Sequence, residues 1–123
     1  MDLNTLSYEI IGCAYKVHSE LGPGLLESTY EVCLEYELAQ KDYEVARQVA
    51  LPVIYNEIKL EAGYRIDLMV NNAIIVEIKS VDALAPIHTA QVLTYLKLSN
   101  KKLGLLINFN EIDLKKGIKR LIL

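Results

Sequence analysis

The hydrophobic period changes along this chain at Val45, and that change decides the class of fold. Before it, apolar residues recur at Leu6, Ile10, Ala14, Val17 and Leu21, the spacing of a helix over residues 2–21. The "GPG" at 22–24 stops that helix, because Pro23 cannot continue it and glycines accept positive φ. Residues 25–41 repeat the helical spacing through Leu26, Tyr30, Cys33, Leu34 and Leu38. After Val45 the pattern is that of strands. "EVARQVALPVIY" and "EIKLEAGYRIDLMV" are joined by a turn near Asn56, and Asn71-Asn72 leads into "AIIVEIKS". Pro86 suits the first turn of a helix running to about Leu98. "KLGLLINF" (102–109) is a last strong strand, and "EIDLKKGIKRLIL" reads as a short basic amphipathic element with Leu114, Ile118 and Leu121 inward at helical spacing. The order α-α-β-β-β-α-β predicts an α+β sandwich, with helices covering a mixed sheet.

Length and composition set the bounds. A chain of 123 residues suits one domain, 1–123, and buries roughly two thirds of its unfolded surface. With 52% hydrophobic and 24% charged residues it folds rather than staying disordered. No apolar run approaches the roughly 20 residues of a membrane span, and "MDLNTLSYEI" lacks the basic-then-apolar order of a signal peptide. Cys13 and Cys33 fall in helical patterns and read as small buried residues of a reducing compartment, so a cytoplasmic protein is expected. Charge is uneven. Residues 1–96 hold six Lys/Arg against fourteen Asp/Glu, residues 97–123 seven against two, and the net charge is −3. Such acidity argues against a non-specific nucleic-acid binder, while the basic end can still offer a local anion-binding surface.

Within "IIVEIKS" (74–80), Glu77 and Lys79 share one strand face while Ile74, Val76 and Ile78 share the other. Charges in so apolar a strand need partners, and Asp67 in "GYRIDLMV" is a candidate. Asp67, Glu77 and Lys79 spell D-x9-E-x-K. Two carboxylates converging across a strand pair suit a hard divalent cation, and a lysine beside them can orient a water and stabilise developing negative charge. That is the chemistry of phosphodiester hydrolysis. A solvent-facing Glu–Lys pair on an open sheet face satisfies the same three residues, and alone they do not decide between the two. The metal site makes one geometric demand. A two-residue Asn71-Asn72 loop would pair Asp67 with Val76 and turn the carboxylates to opposite faces. A three-residue loop or a bulge, with a left-handed asparagine, is therefore expected.

Two helical motifs add to this. "GLLESTY" places Gly24, Glu27 and Tyr30 at three-residue intervals, with Glu27 and Tyr30 on one helical face, where a first-turn Glu can also serve only the helix dipole. "HTAQVLTYLK" places His88, Gln91 and Tyr95 along one stripe, which a core Tyr95 and a rim Gln91 also explain. His18 and His88 are further candidates to line a site.

Together these stretches resemble the bacterial GxxExxY protein family of the PD-(D/E)XK nuclease superfamily. The resemblance runs from "VHSELGPGLLESTYE" through "YRIDLMVNNAIIVEIKSVDALAPIHTAQVLTYLKLSNKKLGLLINFN". It implies a restriction-endonuclease-like core with Glu27, Asp67, Glu77 and Lys79 as catalytic residues. Mg²⁺ or Mn²⁺ would be held by Asp67, Glu77, the Ile78 carbonyl and Glu27. Gln91 and Tyr95 match the Q-x-x-x-Y motif of the RecB and lambda-exonuclease-like branch, and with Tyr30 and His88 they are expected to contact substrate. Ile66 stands where the superfamily's name implies proline. The implied partner is nucleic acid, DNA before RNA, with a homo-oligomer or a partner protein also open. The alternative is a nuclease-fold binding module that turns over nothing and serves a larger complex.

Overall fold

A computed structural model describes residues 1–123. Helix α1 (Leu3–Leu21) is opened by Asp2, whose carboxylate accepts the Thr5 N–H at 2.8 Å. Gly22, at φ 70°, closes it by donating to the His18 carbonyl. Helix α2 (Glu27–Gln40) follows, then strands β1 (Val45–Ala50), β2 (Val53–Tyr55), β3 (Ile58–Leu60), β4 (Arg65–Val70) and β5 (Ile74–Lys79). Helix α3 (Pro86–Ser99) leads to β6 (Leu103–Asn108), a 3-10 turn (Leu114–Gly117) and β7 (Ile118–Ile122). The main sheet has the order β1-β4-β5-β6-β7, antiparallel except for the β5–β6 pair that α3 connects.

Two cores follow from this layering. Leu6, Ile10, Ala14 and Val17 of α1 and Tyr30, Leu34 and Leu38 of α2 pack on the face made by Leu68, Val70, Ile74, Val76 and Ile78. On the other face Val92, Tyr95 and Leu96 of α3 cover Ile66, Met69, Ile75 and Leu106. Because β5 and β6 are covered on both faces, they are near-continuous apolar runs rather than alternating ones, interrupted only by Glu77 and Lys79 in β5 and by Asn108 at the end of β6. The α+β sandwich with a mixed sheet is thus as expected. Both cysteines are free, Cys13 buried and Cys33 half-buried.

Three details differ from the sequence pattern. Pro52 and the Glu61–Gly63 stretch each split an expected long strand, and β2–β3 becomes a separate hairpin outside the main sheet. The C-terminal stretch is not a helix. After the 3-10 turn it pairs with β6 from Ile107↔Ile118 to Leu103↔Ile122, because the edge of β6 would otherwise leave buried backbone groups unpaired. Gly117 makes the entry, since a Cβ there would lie 2.6 Å from the Asn108 carbonyl oxygen. Finally, the basic side chains do not gather. Lys115 and Lys116 lie near the end of the sheet where β5 finishes, and Lys101 and Lys102 lie near the opposite end. Arg120 is tied to Asn4 and Ser7 of α1.

Tyr30 fixes the approach to α2. Its ring stacks on Phe109 with centroids 4.6 Å apart and planes 8° from parallel, and it is fully buried. Its hydroxyl donates to the Gly22 carbonyl at 2.6 Å and accepts the Leu25 N–H at 3.1 Å, clamping the "GPG" loop from both sides. Tyr30→Phe keeps the stack and leaves both backbone groups short of a partner. It should lower unfolding free energy by about 1–3 kcal/mol in urea titrations. An unchanged midpoint would show that the loop finds other partners.

Candidate functional site

The β4–β5 hairpin turns through three residues, with Val70 paired to Ile74 and both Asn71 and Asn72 left-handed at φ 52° and 51°. This is the expected offset. The ladder runs to Leu68↔Val76 and stops, and the next step of the same register sets Asp67 against Glu77. There the side chains take over from the backbone. The Ile78 N–H donates to Asp67 Oδ2 at 2.8 Å, and the Asp67 N–H donates to Glu77 Oε2 at 2.8 Å. Each carboxylate thus holds the opposite strand, and together they fill the opening between β4 and β5. The N–H and C=O of one strand residue point to the same side, so the Ile78 carbonyl faces this opening too.

Burial and mutual repulsion shape the acidity of the pair. Glu77 is only 3% exposed, and that burial pushes its carboxyl up to about 8. The Asp67 charge pushes the same way, while the Asp67 N–H and the Lys79 ammonium oppose it. Asp67 is also raised, by burial first and then by Glu31, against the Ile78 N–H, Lys79 and Gln48. Lys79 is half-buried at the end of β5, on the Glu77 face, with its carbonyl accepting the Phe109 N–H at 2.9 Å.

Glu27 stands apart from this pair. It is exposed at the start of α2, and its Oε2 accepts the Ser80 N–H at 3.1 Å rather than capping its own helix. Ser80 Oγ donates to the Leu25 carbonyl at 2.6 Å, which ties the entry of α2 to the end of β5. A hollow of about 370 Å³ between Leu25, Leu26, Glu27, Ser28 and Ser80 opens there. No three His, Cys, Asp or Glu side chains form a preassembled metal cluster. The carboxylate that acts on Asp67 and Glu77 from α2 is Glu31, one turn after Glu27 and 5% exposed.

Tyr30 is a correction. Its ring is fully buried and its hydroxyl is spent on Gly22 and Leu25, so it offers no exposed surface for the expected substrate contact. His88 accepts the Ala85 N–H on Nδ1 and so closes the N-terminus of α3. His18 Nε2 lies 2.7 Å from the Glu111 carbonyl oxygen, away from the carboxylates' own contacts. Gln91 and Tyr95 do share a surface, an uncharged groove of about 430 Å³ between α3 and the β2–β3 side, lined also by Val53, Tyr64, Ile87 and Leu98. Tyr64 meets Tyr95 edge-on at 6.5 Å. Burial raises the Tyr95 hydroxyl, and the charges of Glu77 and Asp67 add to it; Tyr95 packs in one cluster with Ile66, the strand neighbour of Asp67. A larger hollow, about 490 Å³ between α1 and α2, lies apart from them.

Sequence reading missed Glu31, Gln48 and Asn108. Asn108 is wholly buried, and its amide pairs with both the N–H and the C=O of Val81, so the loop after Lys79 is held like another strand residue. Buried polar side chains in "YE" and "INFN" were its only signal.

A model of the PD-(D/E)XK nuclease superfamily matches residues 4–121. The chain belongs to that superfamily. No curated protein and no solved structure matches it. Asp67 on β4 and Glu77 and Lys79 on the neighbouring β5 are of the residue types that the superfamily's name spells.

The raised Glu77 carboxyl sets a pH dependence. Its folded pKa stands above its unfolded 4.5, so the fold keeps the proton. The stability from this group is complete below about 4.5 and is lost as pH rises through about 8. Between these values unfolding free energy should fall by at most about 1.4 kcal/mol per pH unit. Glu77→Gln should flatten the slope and gain stability above pH 8. Urea unfolding of both proteins without divalent cations, from about pH 5 to 9, measures it. Parallel profiles would mean Glu77 is charged in the fold.

Proposed function

We propose that this PD-(D/E)XK protein is a cytoplasmic, metal-dependent nuclease of the GxxExxY type, within the RecB and lambda-exonuclease-like branch, acting on DNA before RNA. The observation that carries the reading is the three-residue hairpin loop, which brings Asp67 and Glu77 face to face with Lys79 on the Glu77 side. A solvated Glu–Lys pair does not need that register, and it would not leave Glu77 3% exposed.

The donor set fits a hard cation. It is all oxygen, its two carboxyls are held in place by backbone N–H groups, and both hold their protons more tightly than usual, as expected of a pair that a positive charge would relieve. Asp67, Glu77 and the Ile78 carbonyl would hold Mg²⁺ or Mn²⁺, with Glu27 reaching the site through water. Bound there, the cation would lower the pKa of a water and offset charge on the phosphate. Lys79 orients the attacking water and stabilises negative charge as it develops. Gln91 and Tyr95 hold the substrate strand along the groove of α3.

Two measurements separate metal, chemistry and binding. Excess Mg²⁺ or Mn²⁺ should stabilise the wild-type fold, by about 2.7 kcal/mol at a hundredfold excess over Kd. Asp67→Asn should lose most of that gain while keeping or raising its metal-free stability. Lys79→Ala should abolish cleavage of single- and double-stranded DNA and RNA yet retain binding in Ca²⁺. Full cleavage by Lys79→Ala would move the chemistry elsewhere. Metal-stabilised wild type that binds nucleic acid and cleaves none would return the chain to the inactive-module reading.

A further inference from the structure

Gln48 lies in the middle of β1 and is left-handed, at φ 54°. This is a conformation that costs a non-glycine residue free energy and persists only where surroundings impose it. The β1–β4 ladder pairs Arg47 with Leu68 and Val49 with Ile66, leaving Gln48 and Asp67 facing each other unpaired between them. The strand also changes face here. Val45 packs with the α1/α2 core and Val49 with the α3 core. Neighbouring strand side chains ordinarily point to opposite faces. Arg47 and Gln48 nevertheless both reach one carboxylate, with Arg47 Nε 2.7 Å from Glu31 Oε2 and Gln48 Nε2 2.7 Å from Glu31 Oε1. The left-handed step is what makes that possible. The second proton of the same Gln48 amide points to Asp67 Oδ1 at 3.3 Å. With carboxylate oxygens on both sides, the amide must present its nitrogen to them.

We infer that Gln48 is a positioning residue for Asp67, held as a two-way donor between Asp67 and a Glu31 carboxylate that Arg47 pins from its other oxygen. Oδ2 of Asp67 is fixed by the Ile78 N–H and Oδ1 by Gln48, so the carboxylate plane is set before any ligand arrives. Glu31 needs the same amide, because a carboxylate 5% exposed beside Asp67 and Glu77 requires donors on both oxygens. The inference rests on reading Asp67 as a metal ligand.

The test is a Mn²⁺ titration of the thermal midpoint, which needs no turnover, on wild type, Gln48→Gly and Gln48→Asn. Glycine removes the backbone strain and the amide together. Asparagine accepts the left-handed conformation, yet its amide is one methylene too short to span both carboxylates. Without metal, relief of the backbone strain and loss of the donor to Glu31 oppose each other, so the Mn²⁺ requirement rather than the metal-free midpoint decides. Both variants should need about tenfold more Mn²⁺ for half the stabilisation, the scale of losing a group that orients a ligand. A residue that only holds the fold would lower the metal-free midpoint and leave the Mn²⁺ requirement alone, and that result overturns the inference. A wild type that responds to Mn²⁺ with both variants responding equally also overturns it, with the metal site intact. A wild type indifferent to Mn²⁺ removes the metal reading and this inference together.

Discussion

The register of one hairpin governs this molecule. Asn71 and Asn72 accept left-handed backbone, which lets the turn between β4 and β5 take three residues instead of two. Side chains alternate along a strand, so one residue more or less in that turn would send Asp67 to the other face of the sheet. The facing pair then ends the ladder, since each carboxylate claims a backbone N–H of the opposite strand. The polar opening inside an apolar sheet follows from this choice at the turn. So do the raised pKa of Glu77 and the need for Glu31 and Gln48 to be tied down nearby.

Much of this was legible because it depends on period and on turn chemistry. Helical spacing from Leu6 to Leu38, the "GPG" stop, Pro86 at the start of α3 and the apolar runs of β5 and β6 all act locally, and local physics is written in the sequence. The three-residue loop was legible through a demand: if Asp67 and Glu77 are to meet, the turn must be offset. What failed was decided at a distance. Leu114, Ile118 and Leu121 have helical spacing, and only the open edge of β6 draws Ile118–Ile122 into a strand. Gln48 looks like any polar strand residue, and nothing local announces its left-handed backbone, which Glu31 and Asp67 impose from other elements. Tyr30 reads equally as a surface contact or as a core residue, and the stack with Phe109 decides it.

The acidic body is consistent with such a site only because its charges are placed unequally. Glu31 is spent on Arg47 and Gln48, and Glu27 on the Ser80 N–H, while Asp67 and Glu77 share the one region where Lys79 is the nearby cation. The groove of Tyr64, Gln91 and Tyr95 beside them carries no charge of its own. The positive charges near this end of the sheet are Lys79, Lys115 and Lys116, with Arg65 exposed at the start of β4.

The loop that carries Gly24 is fastened to distant chain. Its N–H donates to Asn110 Oδ1 at 3.0 Å, the Leu25 carbonyl accepts from Ser80 Oγ, and Tyr30 leans on Phe109. Three sections of the polypeptide, around residues 24, 80 and 110, must therefore meet before the surroundings of Lys79 exist. Closing loops of that length is slow, and no early local structure can substitute for it. The surroundings of Lys79 are thus built from long-range contacts, while the β4–β5 hairpin beside them is built from local ones.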